Sequence, residues 1–224
     1  MTAEQSPRRF VLSSLPEAPA RVLEVGCGEG HLAKSLAEAG YEVVAIDPHA
    51  PEGAIFRPVS LEDFEGESFD AVVADRSLHH VHDIEAGVHK LRRMLTDTGV
   101  LVLNEFAWDA MNEPTAAWYL AAAQERGVDP GAGVDTAQDL LSGWADEHDG
   151  LHTAGALRAA LSLHFETVVD TPAPYMARYH LDDPGAESLE RGAIGDGSIS
   201  ALGFRYVGRP RVVNGQVQRS RPGG

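Results

Sequence analysis

Cysteine, basic residues and long apolar runs are what this chain has little of. Its 224 residues include one cysteine, Cys27, so no intramolecular disulfide can form and a cysteine-based metal site would need ligands of other kinds. A reducing compartment fits that usage. Lys and Arg number 18 against 34 Asp and Glu, a formal net charge of −16. A field of that sign repels phosphate backbones and anionic lipid surfaces, which argues against nucleic acid or a membrane as partner. No stretch approaches ~18 consecutive apolar residues, and the N-terminus MTAEQSPRRFVLSSL has no apolar run of signal-peptide length. A cytoplasmic location is expected.

What is present is ordinary globular material, 43% apolar and 23% charged, enough to build a sizeable core. The length favours one elaborated domain over two. From Arg209 onward there are four arginines and no acid, so the body is nearer −20, and residues 209–224 are expected to be a disordered basic tail after a single domain over 1–208. A homodimer stays open.

Short apolar runs alternate with longer helical patterns, the rhythm of parallel strands joined by crossover helices. Strands are expected at Arg21–Val25, Glu42–Ile46, around Ala54–Phe56 or on to Val59, Asp70–Ala74 and Gly99–Leu103. Helices are expected from His31 to Ala39, closed by Gly40, and from Ile84 to Leu95. The alternation then breaks: residues 107–150 read as a helical insert, with helices at about Pro114–Arg126 and Ala137–His148 that carry Trp118, Tyr119, Leu120, Leu140, Leu141 and Trp144. Thr153 is expected to cap a helix over Ala154–Leu163. Strand-like segments at Phe165–Asp170 and Ser198–Val207 follow, with a helical stretch near Ala186–Ala193 between them.

The segment Glu24-Val25-Gly26-Cys27-Gly28-Glu29-Gly30 joins the first strand to its helix, where an open parallel sheet presents its ligand crevice. Read as a dinucleotide fingerprint, it has Gly26 and Gly28 in place but His31 where the third small residue should stand. Glu24 also suits a cationic ligand better than a diphosphate. Asp47 ends the second strand, where a carboxylate can accept both hydroxyls of a ribose.

VLEVGCGEG resembles the first loop of the class I S-adenosylmethionine-dependent methyltransferases, which reads acid-x-Gly-x-Gly-x-Gly after an apolar strand. Asp75-Arg76-Ser77-Leu78-His79-His80-Val81-His82-Asp83 resembles the same family's strand end and Leu-His-His-Val signature, and GFRYVG resembles its final antiparallel strand. The resemblance implies a doubly wound, Rossmann-like α/β fold with a seven-stranded, mostly parallel sheet, an antiparallel last strand and a helical insert after strand 5. It implies S-adenosylmethionine as cofactor, with Gly26 to Gly28 facing its methionine part, Glu24 close by and the main chain of Asp75 at its amino group. Relatives often carry an aspartate where Ser60 stands, so the backbone N–H of Leu61 or Glu62 is expected to reach the adenine, with Glu62 or Asp63 as acceptor.

Methyl transfer is an in-line displacement, so the protein chiefly positions the acceptor and, for a hydroxyl, removes its proton. His79, His80 and Glu105 stand near the strand ends, with His148 and His152 beyond the insert. His80 and Glu105 are the candidate bases. Neighbouring histidines do not converge easily on one ion, so no metal is expected. Trp108, Met111, Trp118 and Tyr119 on the insert and Tyr175, Met176 and Tyr179 near the last strands suggest a small, apolar or aromatic acceptor under the insert as roof. Acidic charge and the absence of an Asn-Pro-Pro-Tyr tetrapeptide at Asp75–Leu78 argue against methylation of nucleic-acid bases. Two other readings stay open: a cofactor-binding module without transfer activity, and a nicotinamide-dependent oxidoreductase, which His31 and Glu24 disfavour.

Overall fold

The computed structural model describes residues 6–66 and 68–211. Its sheet is seven-stranded in the order β3-β2-β1-β4-β5-β7-β6, formed by β1 (Arg21–Val25), β2 (Glu42–Asp47), β3 (Phe56–Pro58), β4 (Phe69–Asp75), β5 (Leu95–Phe106), β6 (Phe165–Ala173) and β7 (Gly203–Pro210). β1 to β5 pair in parallel, and β7 runs antiparallel between β5 and β6. The expected fold class is therefore the observed one. The helices are α1 (Pro7–Ser14), α2 (His31–Glu38), α3 (Ile84–Met94), α4 (Glu113–Arg126), α5 (Ala137–Glu147), α6 (Ala154–His164), α7 (Met176–Tyr179) and α8 (Glu187–Gly195).

Strand side chains alternate between the two faces with period two, and both faces are apolar because both are covered. Leu23, Val25, Val72, Ala74, Leu101 and Leu103 pack with Val88 and Leu91 of α3 and with Leu157 and Leu161 of α6. Val22, Ala71, Val73, Val100 and Val102 pack with Ala33 and Leu36 of α2 and with Phe10 and Val11 of α1. Helix α1 was not anticipated from the sequence. Ser6 caps it by accepting from the Arg9 N–H, Pro7 opens its first turn, and Phe10 and Val11 are its buried anchors.

Other helix starts follow their caps. Asp83 accepts from Ala86 N–H at 3.0 Å, Asn112 from Thr115 N–H at 3.0 Å and Thr153 from Ala156 N–H at 3.1 Å, while Thr136 and Asp139 form a reciprocal capping box.

Several boundaries differ from expectation. β5 starts at Leu95 rather than at the expected Gly99, with an irregular opening that pairs Leu95 with Phe69 and then shifts register to pair Val100 with Ala71. The last strand starts at Gly203 rather than Ser198 and runs on to Pro210, because Phe165 and Glu166 of β6 supply partners for Pro210 and Arg209. Arg209 and Pro210 thus belong to the sheet and not to a tail, while residues 212–224 lie outside the described residues. The insert is also less separate than its sequence suggests. Ala116, Tyr119 and Ala123 of α4 and Leu140 and Trp144 of α5 share one core with Tyr175, Met176, Leu181 and Leu202 from the β6–β7 connection.

β1 continues leftward through β2 and β3, and the chain then returns to place β4 and β5 on its other side. The strand order reverses between β1 and β4, and at such a point the loops leaving the carboxyl ends diverge and open a crevice.

Candidate active site

A cavity of about 790 Å³ occupies that crevice, lined by the glycine loop from Glu24 to Glu29, by Ile46 to His49 after β2, by Val59 to Glu62, and by Asp75, Arg76, Ser77, His80 and Val81 after β4. The glycine loop is strapped to β2 by the Gly26 and Cys27 N–H groups, which donate to the Ile46 carbonyl at 2.8 and 3.1 Å. Gly26 and Gly28 have φ of +73° and +49°, the left-handed region that costs a side chain. Their spatial reasons differ. A Cβ on Gly26 would stand 2.2 Å from the Ser77 Cβ, whereas one on Gly28 would meet nothing within 4 Å. Gly26 lets two loops touch; Gly28 leaves room for a ligand.

Asp47 holds the loop from the β2 side. Its Oδ2 accepts from Gly28 N–H at 3.0 Å and its Oδ1 from His49 N–H at 2.8 Å, and each oxygen retains a further lone pair for a hydroxyl donor. Glu24 is 2% exposed, and its Oε2 is buried with no hydrogen-bond partner. Burial, reinforced by the neighbouring charges of Asp75 and Asp47 and opposed by a hydrogen bond from the Ala33 backbone, pushes its pKa up to about 8. An unpartnered buried carboxyl oxygen is costly unless a donor reaches it. Burial likewise raises the Asp75 carboxyl, against the lowering effect of Asn104, whose Nδ2 donates to it at 2.8 Å.

The sequence left Glu62 and Asp63 as alternatives at the far wall. Glu62 lines the cavity, and its carboxylate accepts from His82 N–H at 3.1 Å. Asp63 is turned to the Ser60 hydroxyl at 3.0 Å and is not among the lining residues. Leu61 also lines the wall, its side chain buried in the adjoining core.

The two candidate bases separate clearly. Glu105 is not at the cavity mouth; it is 1% exposed and saturated. Its Oε1 accepts from Ser77 N–H at 2.9 Å and Leu78 N–H at 2.7 Å, and its Oε2 accepts from Phe106 N–H at 3.1 Å and lies 2.7 Å from His79 Nδ1. A carboxylate with four close partners and no solvent contact orders the loop after β4 and has no lone pair placed for a substrate proton. His79 is consumed in the same network. His80 lies on the exposed side of that loop and lines the cavity. Partial desolvation against the loop and the adjacent His79 ring, 4.2 Å away between centroids, hold its pKa below the ordinary histidine value. His148 and His152 sit apart from the cavity, with ring nitrogens 2.7 and 2.8 Å from the carbonyls of Trp144 and Val81. Among the described residues no group of three or more His, Cys, Asp and Glu is placed to hold a metal ion.

The aromatic residues expected around an acceptor do not line this cavity. Tyr119, Tyr175 and Met176 are buried in the third core, and Trp118 borders a separate groove between α4 and α8. The contact between core and cavity is Arg76, which sequence reasoning passed over although it is the lone Lys or Arg in the stretch from Glu62 to His89. Its guanidinium carbon stands 3.9 Å from the centroid of the Tyr179 ring, and its Nε is 3.7 Å from Asp75 Oδ1. Glu190, also buried, holds the start of α7 in place by accepting from the N–H groups of Tyr175, Met176 and Ala177 at 2.7, 2.9 and 2.8 Å. Two buried glutamates, Glu105 and Glu190, thus each clamp the backbone of one loop beside the site.

Residues 3–141 match the family described as "Methyltransferase domain". Among curated proteins, the ubiquinone biosynthesis O-methyltransferase of Xanthomonas oryzae pv. oryzae is 37% identical over 128 residues, covering 50% of this chain and 52% of that protein. The chain therefore spans about half the length of these curated relatives. Among solved structures, an S-adenosylmethionine-dependent methyltransferase from Mesorhizobium loti aligns with a TM-score of 0.57 at 16% identity, covering 91% of this chain and 98% of that one. Geranyl diphosphate C-methyltransferase from Streptomyces coelicolor, solved with Mg2+, geranyl diphosphate and S-adenosyl-L-homocysteine, aligns at 0.58 and 14% identity, covering 91% and 79%. At such identities the structures attest the fold.

Proposed function

The chain belongs to the class I S-adenosylmethionine-dependent methyltransferases, and from that premise we propose that it methylates a hydroxyl oxygen of a small-molecule acceptor. S-adenosylmethionine supplies a methyl group already activated on a sulfonium. The residues present fit it. The open space at Gly28 admits a ligand against the loop backbone, Asp47 offers carboxylate lone pairs for the ribose, and the orphaned buried Glu24 Oε2 calls for a donor or cationic group. Leu61, Glu62 and Asp75 complete the wall.

The observation that carries the hydroxyl reading is the division of labour between the paired histidines. His79 is locked to Glu105, and His80 lines the cavity with a depressed pKa. A histidine held neutral at pH 7 can accept a hydroxyl proton as the oxygen attacks. The relatives named O-methyltransferases are consistent with an oxygen acceptor. A small acceptor is favoured by the net charge of −16, which opposes nucleic acid.

The test is turnover of S-adenosylmethionine against a panel of phenols and catechols. His80→Ala should lower kcat by about 10²–10⁴-fold, the usual range for a general base, while leaving S-adenosylhomocysteine affinity within a factor of two or three. Wild-type turnover retained in the variant would return His80 to the wall.

A further inference from the structure

Arg76 is the lone Lys or Arg among the described residues lining the cavity, whose carboxylates are Glu24, Glu29, Asp47, Glu62 and Asp75. It departs from ordinary geometry, with φ +55° at a position that is not glycine. A β-carbon in the left-handed region is disfavoured and persists when surrounding contacts over-determine it. Those contacts are visible. The Arg76 N–H donates to the Asn104 carbonyl at 2.8 Å, and the guanidinium lies on the face of Tyr179. Tyr179 and Tyr175 stand on the segment whose amides Glu190 clamps.

The guanidinium is thus oriented before any ligand arrives. Stacking engages the face of its plane, a side-chain hydrogen bond ties it to Tyr175, and its Nε lies 3.7 Å from Asp75 Oδ1, which leaves its remaining in-plane N–H groups to meet a planar carboxylate. Elsewhere along the wall an anion would face acids. Both reactants can bring a carboxylate to this place: the cofactor has one at its amino-acid end, and an acidic acceptor would carry its own.

We propose that Arg76 is a carboxylate seat, preoriented by Tyr179 at the border between the cofactor cavity and the third core. This rests on the cofactor reading above. It makes Arg76 a binding and specificity residue rather than a base.

The experiment is calorimetric titration of the whole chain and of Arg76→Met. Because both side chains carry a Cβ, the backbone strain is common to the two proteins. The first pair of ligands is S-adenosylhomocysteine and 5′-methylthioadenosine, which lacks the amino-acid end. The second pair, added to protein saturated with S-adenosylhomocysteine, is 4-hydroxybenzoate and phenol. If the seat takes the cofactor, the variant should weaken S-adenosylhomocysteine at least tenfold and 5′-methylthioadenosine less than twofold. If it takes the acceptor, the variant should weaken 4-hydroxybenzoate at least tenfold and phenol less than twofold, with cofactor affinity retained. Equal affinities of wild type and variant for both carboxylate ligands overturn the proposal, as does equal weakening of each ligand and its carboxylate-free counterpart. Wild type that binds no S-adenosylhomocysteine overturns the cofactor reading and the proposal with it, so the two failures are distinguishable. Should Arg76→Met not fold, Arg76→Lys keeps the charge and loses the planar fork, and the same carboxylate-selective weakening, three- to tenfold, is expected; unchanged selectivity refutes the seat.

Discussion

Glu105→Gln separates a buried organiser from a catalytic base. In the native protein the carboxylate meets three backbone N–H groups and the His79 ring nitrogen, all within 3.1 Å. A glutamine oxygen in the Oε1 place still accepts from Ser77 and Leu78. Its NH2 group then faces Phe106 N–H and His79 Nδ1, one of which can adapt: the imidazole can shift its proton to Nε2 and accept. The Phe106 N–H is left without an acceptor, at a cost of about 1–3 kcal/mol for a buried unsatisfied group.

Alanine strands all four partners. Relaxation and entering water keep the loss below a simple sum, and about 3–5 kcal/mol is expected, the range for breaking a buried pair. Out of a total stability of roughly 5–15 kcal/mol this is a large fraction. With a urea slope of about 2 kcal/mol per molar, Glu105→Gln should lower the unfolding midpoint by roughly 1 M and Glu105→Ala by roughly 2 M. Turnover should fall only as far as loosening of the Ser77–His80 loop displaces His80. A Gln variant with unchanged midpoint, unchanged S-adenosylhomocysteine affinity and abolished kcat would refute this account and make Glu105 the base.

Glu24 links stability to pH. Its folded pKa of about 8 lies above the ordinary 4.5, so the folded chain keeps a proton that the unfolded chain releases; the contribution is complete below pH 4.5 and is lost as pH rises towards 8. Wild type should therefore lose on the order of 3 kcal/mol between pH 4.5 and 7 through this group, and Glu24→Gln should remove that slope in urea midpoints measured across the window while weakening S-adenosylmethionine; parallel pH curves would contradict it. Asp47→Ala should weaken S-adenosylhomocysteine by about 1–3 kcal/mol, the scale for losing charge-assisted hydrogen bonds, and unchanged affinity by calorimetry would remove it from the ribose site. Gly28→Val should abolish cofactor binding at a fold cost of about 1–2 kcal/mol from its positive φ, because its side chain enters open space; Gly26→Ala, forced against Ser77, should cost more stability, so equal melting temperatures for the two variants would refute the distinction.

Much of the fold was legible because it is written locally. The apolar runs at Val22, Val43, Val72 and Leu101, the punctuation by Gly26–Gly30 and the cap at Thr153 each act over a few residues, and the glycine loop and Asp47 sit at strand ends by sequence alone. Helix α1 was missed because its signal is two buried anchors and a single cap in eight residues. The extension of β7 to Pro210 was missed because pairing with β6 supplies it.

The site divides along the same line. That a ligand with hydroxyls and positive charge should lie over the loop of Gly26 and Gly28 follows from residue types adjacent in the chain. That Glu105 is a clamp and His80 the accessible ring does not, because both stand near strand ends in the sequence. The 2.7 Å approach of His79 to Glu105 across 26 residues, together with the Ser77, Leu78 and Phe106 amides on the same carboxylate, distinguishes them. Arg76 was silent for a related reason: a lone arginine after a strand means little until Tyr179, 103 residues later in the chain, lies beneath it. Sequence determined the periodicity, the caps and the glycine loop, whose causes are short-range sterics and backbone hydrogen bonding. Tertiary structure decided which carboxylates are saturated and which stay open, because that depends on donors brought together from distant segments.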